Sequence, residues 1–326
     1  MAISGAGELY MRKILLICLL TGPMLVAHAG ERGVNGSPLK SQRAASGSAS
    51  KAGSEPRLRS AIAVIYDQQT QRPLYSKNSD VQAPIASITK LMTAMVVLDA
   101  QLPLDEEISI DVADIDTLKG THSRLRIGMT LTRSELLKLA LMASENRAAS
   151  ALARTYPGGY DAAIAAMNAK ARELDMQDTR FLDPTGLSSD NVSTAHDLVK
   201  MVAAARDYTL IHQYTTTASY SVDNWKGRAM RFVNTNPLVK NASWDIGVSK
   251  TGFISEAGRC LVMEATIDER QMIIVLLDSW GKLTRIGDAN RIKRWVEGVN
   301  KRAEVRRAGR DEMTASRQTD HRVAGL

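Results

Sequence analysis

Cysteine is scarce in this chain: only Cys18 and Cys260 occur among 326 residues. Cys18 lies in an N-terminal segment that we expect to be removed, so the remaining chain cannot form an intramolecular disulfide. Cys260 lies in an apolar stretch, where a cysteine is typically a small buried hydrophobic residue rather than a nucleophile. The fold must therefore depend on an apolar core, and a hydrophobic content of 44% is enough to build one.

The folded part of the chain also lacks an excess of charge of either sign. The whole sequence has a formal charge of +7, but residues 58–300 contain 28 basic and 28 acidic residues. The positive excess lies in the two ends of the chain. A nucleic-acid-binding domain carries a basic patch on its folded surface, so we predict that nucleic acid is not a partner.

Motifs for several other chemistries are missing. The sequence contains no Gly-x-Ser-x-Gly, no His-Glu-x-x-His and no Walker pattern. The histidines of the body, His122, His196 and His212, do not have the spacing of metal ligands. We therefore predict neither a Ser-His-Asp triad nor a metal site, and no cofactor.

No apolar run approaches the length of a membrane span, and the N-terminal run is a short one. Arg12-Lys13 precedes seven apolar residues at 14–20, and a small-x-small sequence ends at Ala29. This order is typical of a cleavable secretory signal, which we predict for residues 1–29. A membrane anchor is the alternative, but a spanning helix needs about 20 apolar residues. We expect a protein exported to the periplasm with no stable membrane anchor.

Two further segments have too few large apolar residues to form a core. Residues 30–57 are rich in Gly, Ser, Ala, Lys and Arg, which predicts a disordered linker. Residues 301–326 carry many charges and show no apolar periodicity, which predicts a charged flexible tail. The folded domain is therefore expected to span residues 58–300.

The pattern within this domain changes from strand to helix and back to strand. Two strand-like runs at 61–67 and 72–76 suggest an opening hairpin. The order predicts an α+β fold, in which a mainly antiparallel sheet built from both ends of the domain is flanked by helices and a helical lobe is inserted. The predicted helices span 87–100, 132–142, 147–155, 160–174, 195–207 and 284–299, and the later strands span 246–253, 260–267 and 272–278.

Ser87 and Lys90 are the first candidates for catalysis. They are three residues apart at the start of a helical segment, so both side chains lie on one face. The segment is apolar nearly all round, and a lysine buried there has a lowered pKa, which favours the neutral base. Ser-x-x-Lys alone is weak evidence, because the predicted linker repeats the pattern at 37–40 and 48–51.

The second candidate is Ser144-Glu145-Asn146, between two predicted helices. The hydroxyl could pass a proton to a leaving amine, and the amide could hold a substrate carbonyl and the active lysine. Residues 76–78 and 189–191 have the same Ser-x-Asn form, and the helix-loop-helix setting favours Ser144. Glu145 is expected to be exposed near the rim of the cleft.

The third candidate, Lys250-Thr251-Gly252, occurs once and lies in a predicted strand. Lys250 and Thr251 offer a cation and a hydroxyl to a carboxylate, and Gly252 allows a substrate backbone to lie against the strand edge. The three motifs in this order are far more specific than any one of them.

With these motifs the chain resembles the penicillin-binding serine D-alanyl-D-alanine peptidases, most closely the endopeptidases of the penicillin-binding protein 7 type. The resemblance extends over residues 58–300. It rests on APIASITK at 83–90, LMASENRAA at 141–149, FLDPTGL at 181–187 and KTGF at 250–253. It implies the fold of serine β-lactamases and DD-peptidases, peptidoglycan stem peptides as substrates and β-lactam antibiotics as covalent inhibitors.

The resemblance also implies a role for each candidate. Ser87 would be the acylated nucleophile and Lys90 its general base, while Ser144 and Asn146 would relay a proton and orient the substrate. The backbone N–H groups of Ser87 and Phe253 would form the oxyanion hole. The substrate-binding residues would be Lys250, Thr251, Gly252, Phe253 and Arg285, and a solvated helix position is the alternative for Arg285.

Two departures from the patterns of related proteins narrow the range of functions expected for this chain. Only 76 residues follow Lys250, which disfavours a carboxypeptidase with a further β domain and an anchor helix. Glu173 has Gln177 where a class A β-lactamase has asparagine four residues on, so efficient β-lactam hydrolysis is not expected. We predict a serine D-alanyl-D-alanine endopeptidase that cleaves peptidoglycan cross-links. A D-alanyl-D-alanine carboxypeptidase and a non-turnover β-lactam or murein sensor are the alternatives.

Overall fold

The computed structural model describes residues 55–223 and 227–323. The predicted signal at 1–29 and residues 30–54 of the predicted linker lie outside the described residues. The strands are β1 (Ile62–Asp67), β2 (Arg72–Lys77), β3 (Ala83–Pro84), β4 (Glu107–Ser109), β5 (Thr130–Thr132), β6 (Val192–Ser193), β7 (Ser219–Asp223), β8 (Ala229–Val233), β9 (Asp245–Ile254), β10 (Gly258–Ile267) and β11 (Arg270–Ser279). The helices are α1 (Lys90–Asp99), α2 (Arg133–Met142), α3 (Asn146–Arg154), α4 (Gly159–Glu173), α5 (Ala195–Ala205), α6 (Thr209–Thr216) and α7 (Thr284–Val323).

Five antiparallel strands form the main sheet in the order β2-β1-β11-β10-β9. Strands β1, β10 and β11 are apolar and buried over most of their length, because both faces of the sheet are covered. Val64 pairs with Val275 on the face that packs against the helical lobe. The neighbouring pair, Ile65 and Ile274, lies on the face that packs against α7. The two-residue period of the strands thus builds two cores, and β9 is left at an edge.

Helix α1 lies at the centre of the helical lobe. All residues from Lys90 to Val97 are buried, and the helix packs against α2, α3, α4, α5 and α6. This central position explains why the segment is apolar nearly all round. Helix α2 begins at a reciprocal capping box between Thr132 and Glu135, as its sequence indicates. The turn at residues 86–89, just before α1, packs against the edge strand β9.

The predicted α+β fold with its antiparallel sheet and inserted helical lobe is confirmed. The sequence patterns missed α6 and the β7-β8 hairpin, which are short and half-exposed. Helix α7 continues to Val323, so residues 301–323 are helical where a flexible tail was predicted. Charged residues and alanine are good helix formers without any apolar stripe, so apolar periodicity could not reveal this extension.

Two further predictions concern single features of the fold. Cys260 is fully buried in β10, and burial raises the pKa of its thiol to about 12, as expected of a small core residue. Among residues 55–223 and 227–323, no helix combines the length and apolarity needed to cross a membrane.

Candidate active site

The three sequence motifs meet where the edge strand β9 borders the helical lobe. A cavity of about 290 Å³ opens there, and seven of the nine predicted site residues line it. The other two, Lys90 and Lys250, are buried behind it with 0% and 1% of their surface exposed. Four lining residues were not predicted as site residues, namely Thr121, Leu187, Thr235 and Arg259, although Leu187 ends the FLDPTGL segment.

The amine of Lys90 lies within hydrogen-bond distance of three oxygen atoms. Its Nζ is 2.9 Å from Ser87 Oγ, 2.7 Å from Asn146 Oδ1 and 2.6 Å from the Thr185 carbonyl oxygen. Burial lowers the pKa of Lys90 to about 7, against the opposing effect of Asp183 and other carboxylates. A neutral amine is therefore readily populated beside the serine hydroxyl.

This lowered pKa predicts the pH dependence of Ser87 acylation. Lys90 is protonated below a pKa of about 7 and neutral above it, so the acylation rate should rise with pH. The rise should be roughly tenfold per unit from pH 5 towards 7, with a plateau above. The second-order rate constant for labelling by a fluorescent penicillin, measured from pH 5 to 9, checks this. A rate that is flat or falls over the acid range would contradict a neutral Lys90 as the base.

Close backbone packing holds Ser87 in place. Ala86, just before it, has a left-handed φ of +48°, which few residues other than glycine adopt. At Gly186 an added Cβ would lie 1.9 Å from the Ala86 carbonyl oxygen. At Gly252 it would lie 3.1 Å from the Ser87 nitrogen. Gly252 therefore allows β9 to approach the backbone of the turn that carries Ser87. This reason for a glycine at position 252 differs from the substrate contact expected from the sequence.

Ser144 and Lys250 form a second hydrogen-bonded pair across the cavity. Lys250 Nζ donates to Ser144 Oγ at 2.9 Å and to the Thr251 carbonyl oxygen at 2.8 Å. Burial, followed by the charges of Lys90 and Arg285, holds the pKa of Lys250 well below its usual value. Ser144 has a φ of +59°, a strained conformation of the kind found at functional sites. The hydroxyl of Ser144 thus lies between the cavity and a lysine that can release a proton.

A loop residue orients the side chain of Asn146. The Asn146 amide nitrogen donates to Thr121 Oγ1 at 2.9 Å, and Thr121 Oγ1 donates to Asp116 Oδ2 at 2.7 Å. With its nitrogen held there, the amide turns its oxygen towards Lys90. Glu145 is only half-exposed and accepts a 2.6 Å hydrogen bond from Ser123, so it ties the same loop to the α2-α3 turn.

Thr121 is therefore expected to support Lys90 through Asn146. Thr121→Val removes the hydroxyl with little change of shape, so the Asn146 amide loses its partner and can rotate. We expect acylation of Ser87 to slow by about fivefold, the size of one lost hydrogen bond at an exposed position. Thr121→Ser keeps the hydroxyl and serves as the matched control. Equal rates for the valine and serine variants would contradict this role.

The remaining predicted residues lie at one end of the cavity. Thr251 Oγ1 donates to Thr235 Oγ1 at 2.7 Å, beside the exposed ring of Phe253. Arg285 lies in the first turn of α7 but is only 8% exposed and lines the cavity, so it is not a solvated helix residue. The structure thus brings all nine predicted residues together.

Comparison with known proteins identifies the family of the chain. A family model described as D-alanyl-D-alanine carboxypeptidase matches residues 49–281. This chain belongs to that family of serine DD-peptidases.

Relatives of this family member carry two different names. It is 50% identical over 241 residues to a D-alanyl-D-alanine endopeptidase of Pseudomonas aeruginosa, covering 74% of this chain and 78% of the relative. It is 47% identical to a D-alanyl-D-alanine endopeptidase of Escherichia coli, covering 80% and 84%. A D-alanyl-D-alanine carboxypeptidase of Bacillus subtilis is 31% identical and covers 66% and 56%.

A solved structure of the family has the same fold. The Streptomyces K15 DD-transpeptidase matches with a TM-score of 0.69 at 28% sequence identity, covering 74% of this chain and 98% of that one. The predicted membership of the penicillin-binding serine DD-peptidases is thereby confirmed.

Proposed function

We propose that this chain is a serine D-alanyl-D-alanine endopeptidase that opens D-alanyl cross-links between peptidoglycan stem peptides through an acyl-enzyme on Ser87. The observation that carries the proposal is the buried Lys90 amine, 2.9 Å from Ser87 Oγ and with a pKa of about 7. The names of the relatives at 47% and 50% identity favour the endopeptidase over the carboxypeptidase. Penicillin would acylate the same serine.

Acylation would begin with transfer of the Ser87 hydroxyl proton to neutral Lys90. Oγ then bonds to the carbonyl carbon of the D-alanyl residue, and the oxyanion is stabilised by the backbone N–H groups of Ser87 and Phe253. The carbon–nitrogen bond breaks as the leaving nitrogen receives a proton from the Ser144 hydroxyl. Lys250, which donates to Ser144 Oγ at 2.9 Å, supplies the replacement proton.

Deacylation would use water in place of the serine. Proton exchange with water first returns Lys90 to its neutral form and restores the proton that Lys250 gave up. A water molecule then loses a proton to Lys90 and attacks the ester carbon, and the ester oxygen takes that proton from Lys90 as it leaves as the Ser87 hydroxyl. Thr251 and Arg285 would hold the carboxylate beside the scissile bond during both steps. Asn146 would bind the acyl portion of the substrate through its amide. Export to the periplasm, with cleavage after Ala29, is part of the proposal.

The products of two substrates test the proposal. Purified protein is incubated with a cross-linked stem-peptide dimer and with a pentapeptide monomer, and the products are identified by mass spectrometry. Conversion of the dimer to monomers by wild type and by Ser243→Ala, an exposed serine control, but not by Ser87→Ala, is expected. Loss of only terminal D-alanine from the monomer would instead make the chain a carboxypeptidase, and no change in either substrate would favour a non-turnover sensor.

A further inference from the structure

An ion pair joins the two walls of the active-site cavity at the surface of the protein. Lys119 Nζ donates to Glu256 Oε1 at 2.5 Å, although the two residues are 137 positions apart. Lys119 belongs to the loop whose Thr121 lines the cavity, and Glu256 to the β9-β10 turn, just beyond Phe253 on the other wall. The two side chains are 32% and 42% exposed. The pair therefore bridges the walls from outside, away from the buried lysines.

The backbone on each side of this pair is held in place independently of the pair. Asp116 accepts hydrogen bonds from three backbone N–H groups of the loop at 116–121. Strands β9 and β10 are paired up to Ile254 and Gly258, the residues that flank the turn. Separating Lys119 from Glu256 thus needs only rotation of two long side chains. The pair is a reversible closure between two fixed supports.

The position of Glu256 along the chain places the pair on the acyl side of the reaction centre. Thr251 is a proposed partner of the substrate carboxylate, and the backbone N–H of Phe253 is a proposed donor to the oxyanion. Consecutive strand residues advance by about 3.3 Å, so the substrate runs along β9 from its carboxylate at Thr251 to its scissile carbonyl at Phe253. Glu256 lies three positions further on. The acyl part of the substrate must leave the cavity there.

A cross-linked substrate meets the pair in a way that a small ligand does not. Both ends of a cross-link continue into glycan strands, so neither end can be threaded beneath a closed bridge. The stem peptide has to enter the cavity sideways, and the bridge has to be open while it does so. A ligand that ends at the scissile carbonyl does not extend as far as Glu256.

We propose that Lys119 and Glu256 form a latch over the acyl side of the cavity, which has to open before a polymer-attached stem peptide can enter and which small ligands do not meet. The two residues are thus specificity determinants for the acyl part of the substrate. This inference rests on the proposed function for the direction of the bound chain. An exposed ion pair is weak, so the latch opens at little cost.

Two β-lactam probes of Ser87 test the latch without turnover of peptidoglycan. The small probe is the bare penicillin nucleus, which has no acyl side chain, and the polymer probe is ampicillin coupled to dextran through its side-chain amine. Lys119→Met should accelerate acylation by the polymer probe about threefold, within the range of exposed ion pairs, and leave the small probe unchanged. Lys119→Arg keeps the ion pair and should react with both probes as wild type does.

A covalent lock should give a larger effect. In a Cys18→Ser chain, Lys119→Cys and Glu256→Cys are joined by a bis-methanethiosulfonate linker that a reducing agent removes, while Cys260 is fully buried and does not react. The polymer probe should acylate the locked protein about tenfold or more slowly than the reduced protein, and the small probe should acylate both equally. The two single-cysteine variants, treated with the same reagent, control for the modification.

Equal acylation of locked and reduced protein by the polymer probe would overturn the latch. A lock that slows both probes alike would also overturn it, because the pair would then act on the catalytic centre rather than on entry. An unchanged ratio of the two rates in Lys119→Met would contradict it as well. Both probes report acylation alone. A latch that behaves as expected in a protein that cleaves no cross-linked dimer would therefore reject only the endopeptidase function.

Discussion

Replacing Lys90 with methionine should slow acylation of Ser87 by a β-lactam about a thousandfold, within the range of general-base contributions. Methionine fills a similar volume in the buried pocket but cannot accept a proton. No other described basic side chain donates to Ser87 Oγ, so no neighbour can take over the proton transfer. The second-order rate constant of labelling by a fluorescent penicillin measures the effect.

The fold of the Lys90→Met variant must be checked alongside. Loss of three hydrogen bonds from Nζ is offset by removal of an amine that is costly to bury, so the melting temperature should change by less than about 5 °C. Lys240→Met, an exposed lysine, is the matched control and should acylate at the wild-type rate. A folded Lys90→Met protein that is labelled within tenfold of wild type would contradict the assignment of the base.

Gly186→Ala should lower the free energy of unfolding by about 3 kcal/mol or more, far beyond an ordinary glycine substitution. An added Cβ would lie 1.9 Å from the Ala86 carbonyl oxygen and 2.8 Å from the Ser87 nitrogen. Both are backbone atoms, so the serine turn itself would have to move. The rate of Ser87 acylation should also fall, because the nucleophile would move with the turn.

Gly128 provides a closely matched control for this prediction. Its φ of +81° is almost that of Gly186 at +79°, but an added Cβ would meet nothing within 4 Å. Gly128→Ala should therefore cost only about 1 kcal/mol, the strain of a left-handed alanine. Urea unfolding of the two variants separates the strain from the clash. Similar losses in both would mean that Gly186 does not fix the serine turn.

The sequence predicted the fold best where the residues of a single segment determine the secondary structure of that segment. The apolar residues after Lys90 predict a central helix, and that helix buries the amine whose pKa must fall. The alternating and continuous apolar runs of β9, β10 and β11 predict an antiparallel sheet in the same way. Ser-x-x-Lys at 87–90 and Ser-x-Asn at 144–146 could be ranked above their repeats only by this structural setting and by the resemblance.

Residues that act through long-range contacts could not be found in the sequence. Thr121 meets Asn146 across 25 positions, and Lys119 meets Glu256 across 137. Ala86 has a left-handed φ and packs directly against Gly186, which is 100 positions away, so no local propensity predicts this contact. The extension of α7 was missed for the opposite reason, because its charged residues form a helix without an apolar face.

The most direct test of the central claim is the site of the acyl adduct. The purified protein is incubated with benzylpenicillin, digested and mapped by tandem mass spectrometry. We expect one adduct per chain, on Ser87, and none in the Ser87→Ala variant. An adduct on Ser144, or the same labelling of Ser87→Ala and wild type, would show that Ser87 is not the nucleophile.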